Sequence, residues 1–144
     1  CDDYSPSYYI DQVTSKIGQE ISENDTYALY GITNMGNLVV SRDNTSFAIY
    51  NKNGKLIKES KPYKQIYAIV DKYMIVNDND NELKIIDFDS NVIKKILPLN
   101  DFIDFISGEY KDETINIDIF NKLENKKIKY SYSLKNKTIN ENDY

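Results

Sequence analysis

Residues 66–96, IYAIVDKYMIVNDNDNELKIIDFDSNVIKKI, alternate short apolar runs with turns built from Asn, Asp and Ser. Apolar runs of about four to eight residues, rich in β-branched and aromatic side chains and bounded by such turns, read as strands. The stretch has a counterpart earlier in the chain. Residues 26–60, TYALYGITNMGNLVVSRDNTSFAIYNKNGKLIKES, align with it at an offset of 36 positions. Leu38-Val39-Val40 then falls on Met74-Ile75-Val76, the turn Asn51-Lys52-Asn53-Gly54 on Asp87-Phe88-Asp89-Ser90, and Leu56-Ile57 on Val92-Ile93. A fainter third copy runs from DFIDFIS (101–107) through TINIDIFNKLENKKIKYSYS (114–133). Self-similarity at this spacing predicts a repeat architecture, each copy supplying about four short strands.

The strand faces differ between copies. In the first two, both faces of the central strands are apolar, at Leu38-Val39-Val40, Phe47-Ala48-Ile49-Tyr50, Tyr73-Met74-Ile75-Val76 and Leu83, Ile85, Ile86 and Phe88. Such sheets need cover on both sides. In the third copy, Ile115, Ile117 and Ile119 alternate with Thr114, Asn116 and Asp118, and Ile128, Tyr130, Tyr132 and Leu134 alternate with Lys129, Ser131, Ser133 and Lys135. That sheet is expected to keep one wet face, as the end of a stack does. The expected fold class is all-β, mainly antiparallel, with about three four-stranded, blade-like meanders at roughly 26–60, 65–97 and 101–140 of a single domain spanning 26–144. A monomeric, open arrangement is preferred to an unrelated β-sandwich and to a ring closed by self-association, since closure calls for an apolar outer face on the third copy.

The order of strands and turns in each copy resembles the blade repeat of a β-propeller, the NHL type in particular, over most of the chain after residue 26. The resemblance implies packed four-stranded blades; propellers close with about four or more, and three copies are present here.

Ahead of the repeats, residues 8–23 place Ile10, Val13, Ile17 and Ile21 at spacings of three and four, one face of a short α-helix. Ser5 and Pro6 suit its N-cap and first turn. The opposite face, with Asp11, Gln12, Ser15, Gln19 and Glu20, is polar and slightly acidic, so the apolar stripe is expected to dock on the domain and not on anionic lipid.

Cys1 is the only cysteine, and Asp2-Asp3-Tyr4-Ser5-Pro6-Ser7 after it is polar. It resembles the lipid-bearing first residue of a mature bacterial lipoprotein with its tether at 1–7. The resemblance implies attachment to the outer face of the cell membrane through an N-terminal lipid, the folded part lying outside the cytoplasm. Acyl chains contribute about 0.8 kcal/mol per buried CH₂, so two or three hold firmly. Abundant Asn, Lys and Ile, with Arg42 the sole arginine, read as the coding bias of an AT-rich genome and point to a low-GC Gram-positive bacterium.

Composition also excludes. With no His and one terminal Cys, a Ser-His-Asp triad, a Cys-His pair, a His-ligated zinc site and a CxxC redox pair are impossible. No cofactor is implied. A net charge of −5 with dispersed lysines offers no basic patch for phosphates, so nucleic acid is not an expected partner. No apolar run reaches the ~18 residues of a membrane span.

Among candidate sites, NDNDNE (77–82) is the densest set of oxygen ligands, and Asp78, Asp80 and Glu82 match the start of an EF-hand loop. Leu83 stands where that loop needs glycine and Asp89 where it needs glutamate, so a solvated hairpin turn, not a metal site, is expected. Asp101 with Asp104 and Glu109 with Asp112 are the carboxylate pairs open to glycosidase-type chemistry; surface solvation is preferred. Of 13 tyrosines, Tyr8, Tyr9, Tyr63 and Tyr110 fall in predicted loops or ends and are the candidates for partner contact. Lys122, Lys126, Lys127 and Lys129 are expected to form a solvated hairpin that protects a sheet edge.

These readings favour a non-enzymatic, lipid-anchored extracytoplasmic binding protein with a protein or glycan partner. An accessory or inhibitory subunit of a membrane or cell-wall complex is the alternative, and a carboxylate-dependent hydrolase the third reading.

Overall fold

In a computed structural model, the described residues are 27–32, 36–42 and 44–143, and their regular structure is entirely β. The expected helix at 8–23, the tether, Cys1, Tyr8 and Tyr9 lie outside the described residues. The strands are β1 (Tyr27–Ile32), β2 (Leu38–Arg42), β3 (Ser46–Tyr50), β4 (Leu56–Glu59), β5 (Gln65–Val70), β6 (Tyr73–Asn77), β7 (Glu82–Asp87), β8 (Val92–Pro98), β9 (Ile103–Lys111), β10 (Thr114–Asn121), β11 (Lys126–Ser133) and β12 (Thr138–Asp143). They pair with their sequence neighbours into three four-stranded sheets, β1–β4, β5–β8 and β9–β12, antiparallel throughout. Each sheet is thus a simple meander, the form of a propeller blade. The chain divides into two compact units, one ending at Pro62 and one beginning at Tyr63.

The 36-residue offset is visible in the hydrogen bonds of the turns. Between β3 and β4, Asn51 N donates to Lys55 O (2.9 Å) and Gly54 N to Asn51 O (2.9 Å). The Asn51 side chain closes the turn by accepting from Asn53 N (2.9 Å) and Lys55 N (3.0 Å) on Oδ1. Between β7 and β8, Asp87 N donates to Asn91 O (3.0 Å), Ser90 N to Asp87 O (3.1 Å), and Asp89 N and Asn91 N both donate to Asp87 Oδ1 (2.9 Å each). Both turns need one residue in the left-handed region. Gly54 (φ 82°) takes it in the first copy and Ser90 (φ 68°) in the second, so the serine carries backbone strain that the glycine avoids.

In the first unit, Leu38, Val39, Val40, Phe47, Ala48, Ile49 and Tyr50 are all buried, which accounts for both faces of β2 and β3. In the second unit, Ile75, Leu83 and Ile85 of one sheet form a single apolar cluster with Ile115, Ile117, Ile119, Ile128, Tyr130 and Tyr132 of the other. Met74, Val76 and Ile86, on the opposite face of β6 and β7, are buried as well. Burying a side chain of this size contributes about 1.5–3 kcal/mol relative to leaving it in water.

In the third sheet β10 and β11 keep a strict two-residue period, with Ile115, Ile117, Ile119, Ile128, Tyr130 and Tyr132 buried and Thr114, Asn116, Asp118, Lys129, Ser131 and Ser133 only partly covered. Asn116 and Ser131 are cross-strand partners on that polar face, and Ser131 Oγ donates to Asn116 Oδ1 at 2.6 Å. The lysine hairpin requires a correction. Lys122 to Lys129 span the turn between β10 and β11, the two central strands of the sheet, so they shield no edge. Lys126 instead pairs with Asp143 (3.3 Å) and Glu124 (3.7 Å).

Candidate functional site

The second sheet carries a pocket of about 270 Å³ in which Lys64, Gln65, Tyr67, Asn77, Asn81, Asn100 and Asp101 supply the polar groups and Leu99 and Ile103 the apolar ones. Its geometry begins with a break in strand pairing. Ile66 pairs with Val76 and Ala68 with Ile75, which leaves Tyr67 as the extra residue of a β-bulge in β5. Bulges re-aim a side chain. The ring of Tyr67 stacks on Phe105 of β9, with centroids 5.1 Å apart and planes at 25°. Burial is the main reason its phenol titrates above the ordinary tyrosine range, while the hydrogen bond from the Asn77 side chain acts in the opposite direction.

Asn77 ends β6, and its side chain organises the pocket from a position only 4% exposed. Its Oδ1 accepts from Asn81 N at 3.1 Å, and its Nδ2 lies 3.5 Å from Asn81 Oδ1. Lys64 contributes twice, donating its backbone N–H to Asn77 O (3.0 Å) and its ammonium to Asn81 Oδ1 (2.6 Å). Asn79 (φ 67°) and Asn81 (φ 58°) give the loop its left-handed turns, a conformation asparagine tolerates better than most residues. The far wall is the β8–β9 connection, tied to this loop by Leu99 N donating to Asn81 O at 2.7 Å. Asn100 shapes that connection by accepting from Phe102 N on its side chain (2.8 Å).

The acids of the same loop serve a different purpose. Asp80 accepts from the ammonium of Lys84 at 2.6 Å, and Asp78 lies 3.6 Å from it. Lys84 is only 6% exposed, so a lysine ammonium sits where the two carboxylates converge. Glu82 turns to Lys95 at 3.9 Å instead of joining them. The hydrogen bond with Lys84 holds the Asp80 carboxyl below the usual range, and the bond to Asp80 raises the Lys84 ammonium above its own. The 77–82 segment is therefore a hairpin turn braced by a buried cation, not a merely solvated one.

The other candidates fall apart. Tyr63, expected in an open loop, is 2% exposed and donates its hydroxyl to Ser90 Oγ at 2.8 Å. Tyr110 is half-buried in β9 and packs on the core between the sheets. Of the carboxylate pairs, Asp101 lines the pocket while Asp104 pairs with Lys122 at 3.5 Å; Glu109 and Asp112 are exposed. The sequence reading missed Lys64, Tyr67, Asn77, Asn81 and Asn100. The repeat alignment does not single them out: Ala28, Gly31, Ser41 and Thr45 stand 36 residues before the first four, but most other aligned positions differ between the copies as well.

No protein-family model matches the chain, and no curated protein matches it. Solved structures that are similar include the N-terminal domain of Nup159, at 11% identity over 83% of this chain and 30% of that one with a TM-score of 0.46. A mutant of the Synechocystis apocarotenoid oxygenase is similar at 11% identity, over 88% and 40%, with a TM-score of 0.48. BamB from Moraxella catarrhalis is similar at 9% identity, over 83% and 50%, with a TM-score of 0.43. The chain thus spans 30–50% of the length of these proteins. At these values the likenesses assign it no activity. The expectation that it is not an enzyme is withdrawn: an apocarotenoid oxygenase and an ACO/RPE65 chimera are among the similar structures. The physical reason is that lacking His removes particular catalytic devices without removing catalysis as such.

Proposed function

We propose that this chain is a lipid-anchored, extracytoplasmic ligand-binding protein of a low-GC Gram-positive bacterium, built from blades of NHL type, whose second sheet presents the Asn77 pocket to a small polar ligand. The observation that carries the reading is the pocket itself: a concave space of about 270 Å³ whose walls are braced by a buried, hydrogen-bonded asparagine. Sites of this kind combine a preformed cavity with a few convergent polar groups. The anchor rests on Cys1 and the polar residues behind it.

Two measurements test the proposal. Growth of the native host with an alkyne fatty acid is expected to label the protein, and Cys1→Ala to abolish the label; a wild-type protein that stays unlabelled overturns the anchor. Amide spectra of the folded chain with a mixed metabolite extract are expected to shift at Lys64, Tyr67, Asn77 and Asn81. Shifts confined to other surfaces, or none at all, overturn the pocket as the binding site.

A further inference from the structure

We infer that the pocket takes a neutral sugar of single-ring size, an inference that rests on the binding role proposed above. Volume sets the first limit. At about 270 Å³ the space lies just under the usual range for small-molecule sites and suits a ligand of one pyranose ring.

Charge sets the second. Lys64 and Asp101 are the charged residues of the lining and cancel one another. The Lys64 ammonium is already engaged with Asn81 Oδ1 at 2.6 Å. The chain carries a net charge of −5, and such a field disfavours an anionic ligand.

Hydrogen-bonding type sets the third. The lining holds four primary amides, on Gln65, Asn77, Asn81 and Asn100, together with the Tyr67 hydroxyl. Each of these groups both donates and accepts, as does every hydroxyl of a sugar, whereas carboxylates and phosphates only accept and ammonium groups only donate. Asn77 directs its side chain to the Tyr67 hydroxyl and accepts from Asn81 N. Asn81 Oδ1 takes the Lys64 ammonium, which leaves the Asn81 amide donors for a ligand. Leu99 and Ile103 give the apolar patch on which the C–H face of a ring can rest.

The test is a titration of the full chain, followed by amide spectra, with three sets of probes: glucose, galactose and N-acetylglucosamine; inorganic phosphate; and glycine with glutamate. At least one sugar is expected to shift the signals of Lys64, Asn77, Asn81 and Asn100 saturably. Asn77→Ala is expected to weaken that binding by about ten-fold, because it removes the acceptor that holds the Asn81 backbone and the donor that orients the Tyr67 hydroxyl. Because Asn77 is buried, the exposed variant Lys64→Met is measured beside it, with thermal unfolding to confirm that it folds; it is expected to weaken sugar binding as well. If phosphate or an amino acid shifts these signals and no sugar does, the sugar assignment is wrong and the pocket reading survives. If none of these probes shifts them while the metabolite extract does, the sugar assignment fails alone. If neither does, both fall.

Discussion

A methyl group placed on Gly108 would come within 2.4 Å of Cδ1 of Ile75, so β9 crosses the second sheet with no room for a side chain at this point. Ile75 is fully buried, and interiors packed to crystal density leave a terminal methyl little space to retreat. Gly108→Ala is expected to lower stability by about 1–3 kcal/mol, the usual cost of overpacking. Ile75→Val removes the offending methyl, with an expected loss of about 0.5–1.5 kcal/mol on its own. Urea unfolding of the double variant should show a smaller loss than the sum of the two, because the second change relieves the clash of the first. Simple additivity would mean that the two sheets do not meet at this point.

The Asp80–Lys84 pair predicts a pH dependence at both ends. The folded-state pKa of Asp80 is depressed, so its contribution is present above the unfolded value of about 3.9 and is lost as the pH falls through the lower folded value. That of Lys84 is raised, so its contribution is complete below about 10.4 and is lost as the pH rises through the higher folded value. Lys84→Met is expected to lower the urea midpoint at neutral pH, and the gap from the parent should narrow as the pH falls below about 3.9. A gap independent of pH would assign the effect to packing of the lysine stem.

Asn51 and Asp87 close equivalent turns with equivalent side-chain bonds. Replacing either with Ala is expected to destabilise by about 0.5–1.5 kcal/mol per hydrogen bond lost. Asp87→Asn is expected to keep most of the stability, since asparagine already does this work in the first copy. Chemical denaturation of the three variants checks it; an Asp87→Asn loss equal to that of Asp87→Ala would show that charge, not turn geometry, matters.

Tyr67 reports on the pocket. The Asn77 side chain offsets part of the upward shift that burial gives its phenol, so Asn77→Ala should raise the Tyr67 pKa further. Spectrophotometric titration of tyrosinate, with Tyr67→Phe identifying the relevant transition, reads the change. A downward or absent shift would remove the Asn77–Tyr67 contact. Asn77→Ala is also expected to cost about 1–3 kcal/mol by leaving Asn81 N without its acceptor.

Much of the architecture was legible locally. Ile115, Ile117 and Ile119 alternate with polar residues, and period two can only be a strand with one buried face. The Asn51 and Asp87 turns announce themselves because a short carbonyl-bearing side chain bonds its own backbone two and four residues on. Neither reading needs to know what lies across the sheet. The pocket was not legible in the same way: Lys64, Tyr67, Asn77 and Asn81 carry no spacing that names a site, and they converge only because β5 bulges and the β8–β9 connection folds back on the β6–β7 loop.

By itself, then, the order of residues determined the strands, their turns, the repeat and the absence of histidine chemistry, since each depends on backbone preference and on interactions a few residues long. Tertiary structure alone decided that Tyr63 would be buried on Ser90, that Asp78 and Asp80 would meet a buried lysine, and that a glycine in β9 would admit Ile75. Those outcomes depend on what packs over each strand and turn, which appears only once the chain has brought its segments together.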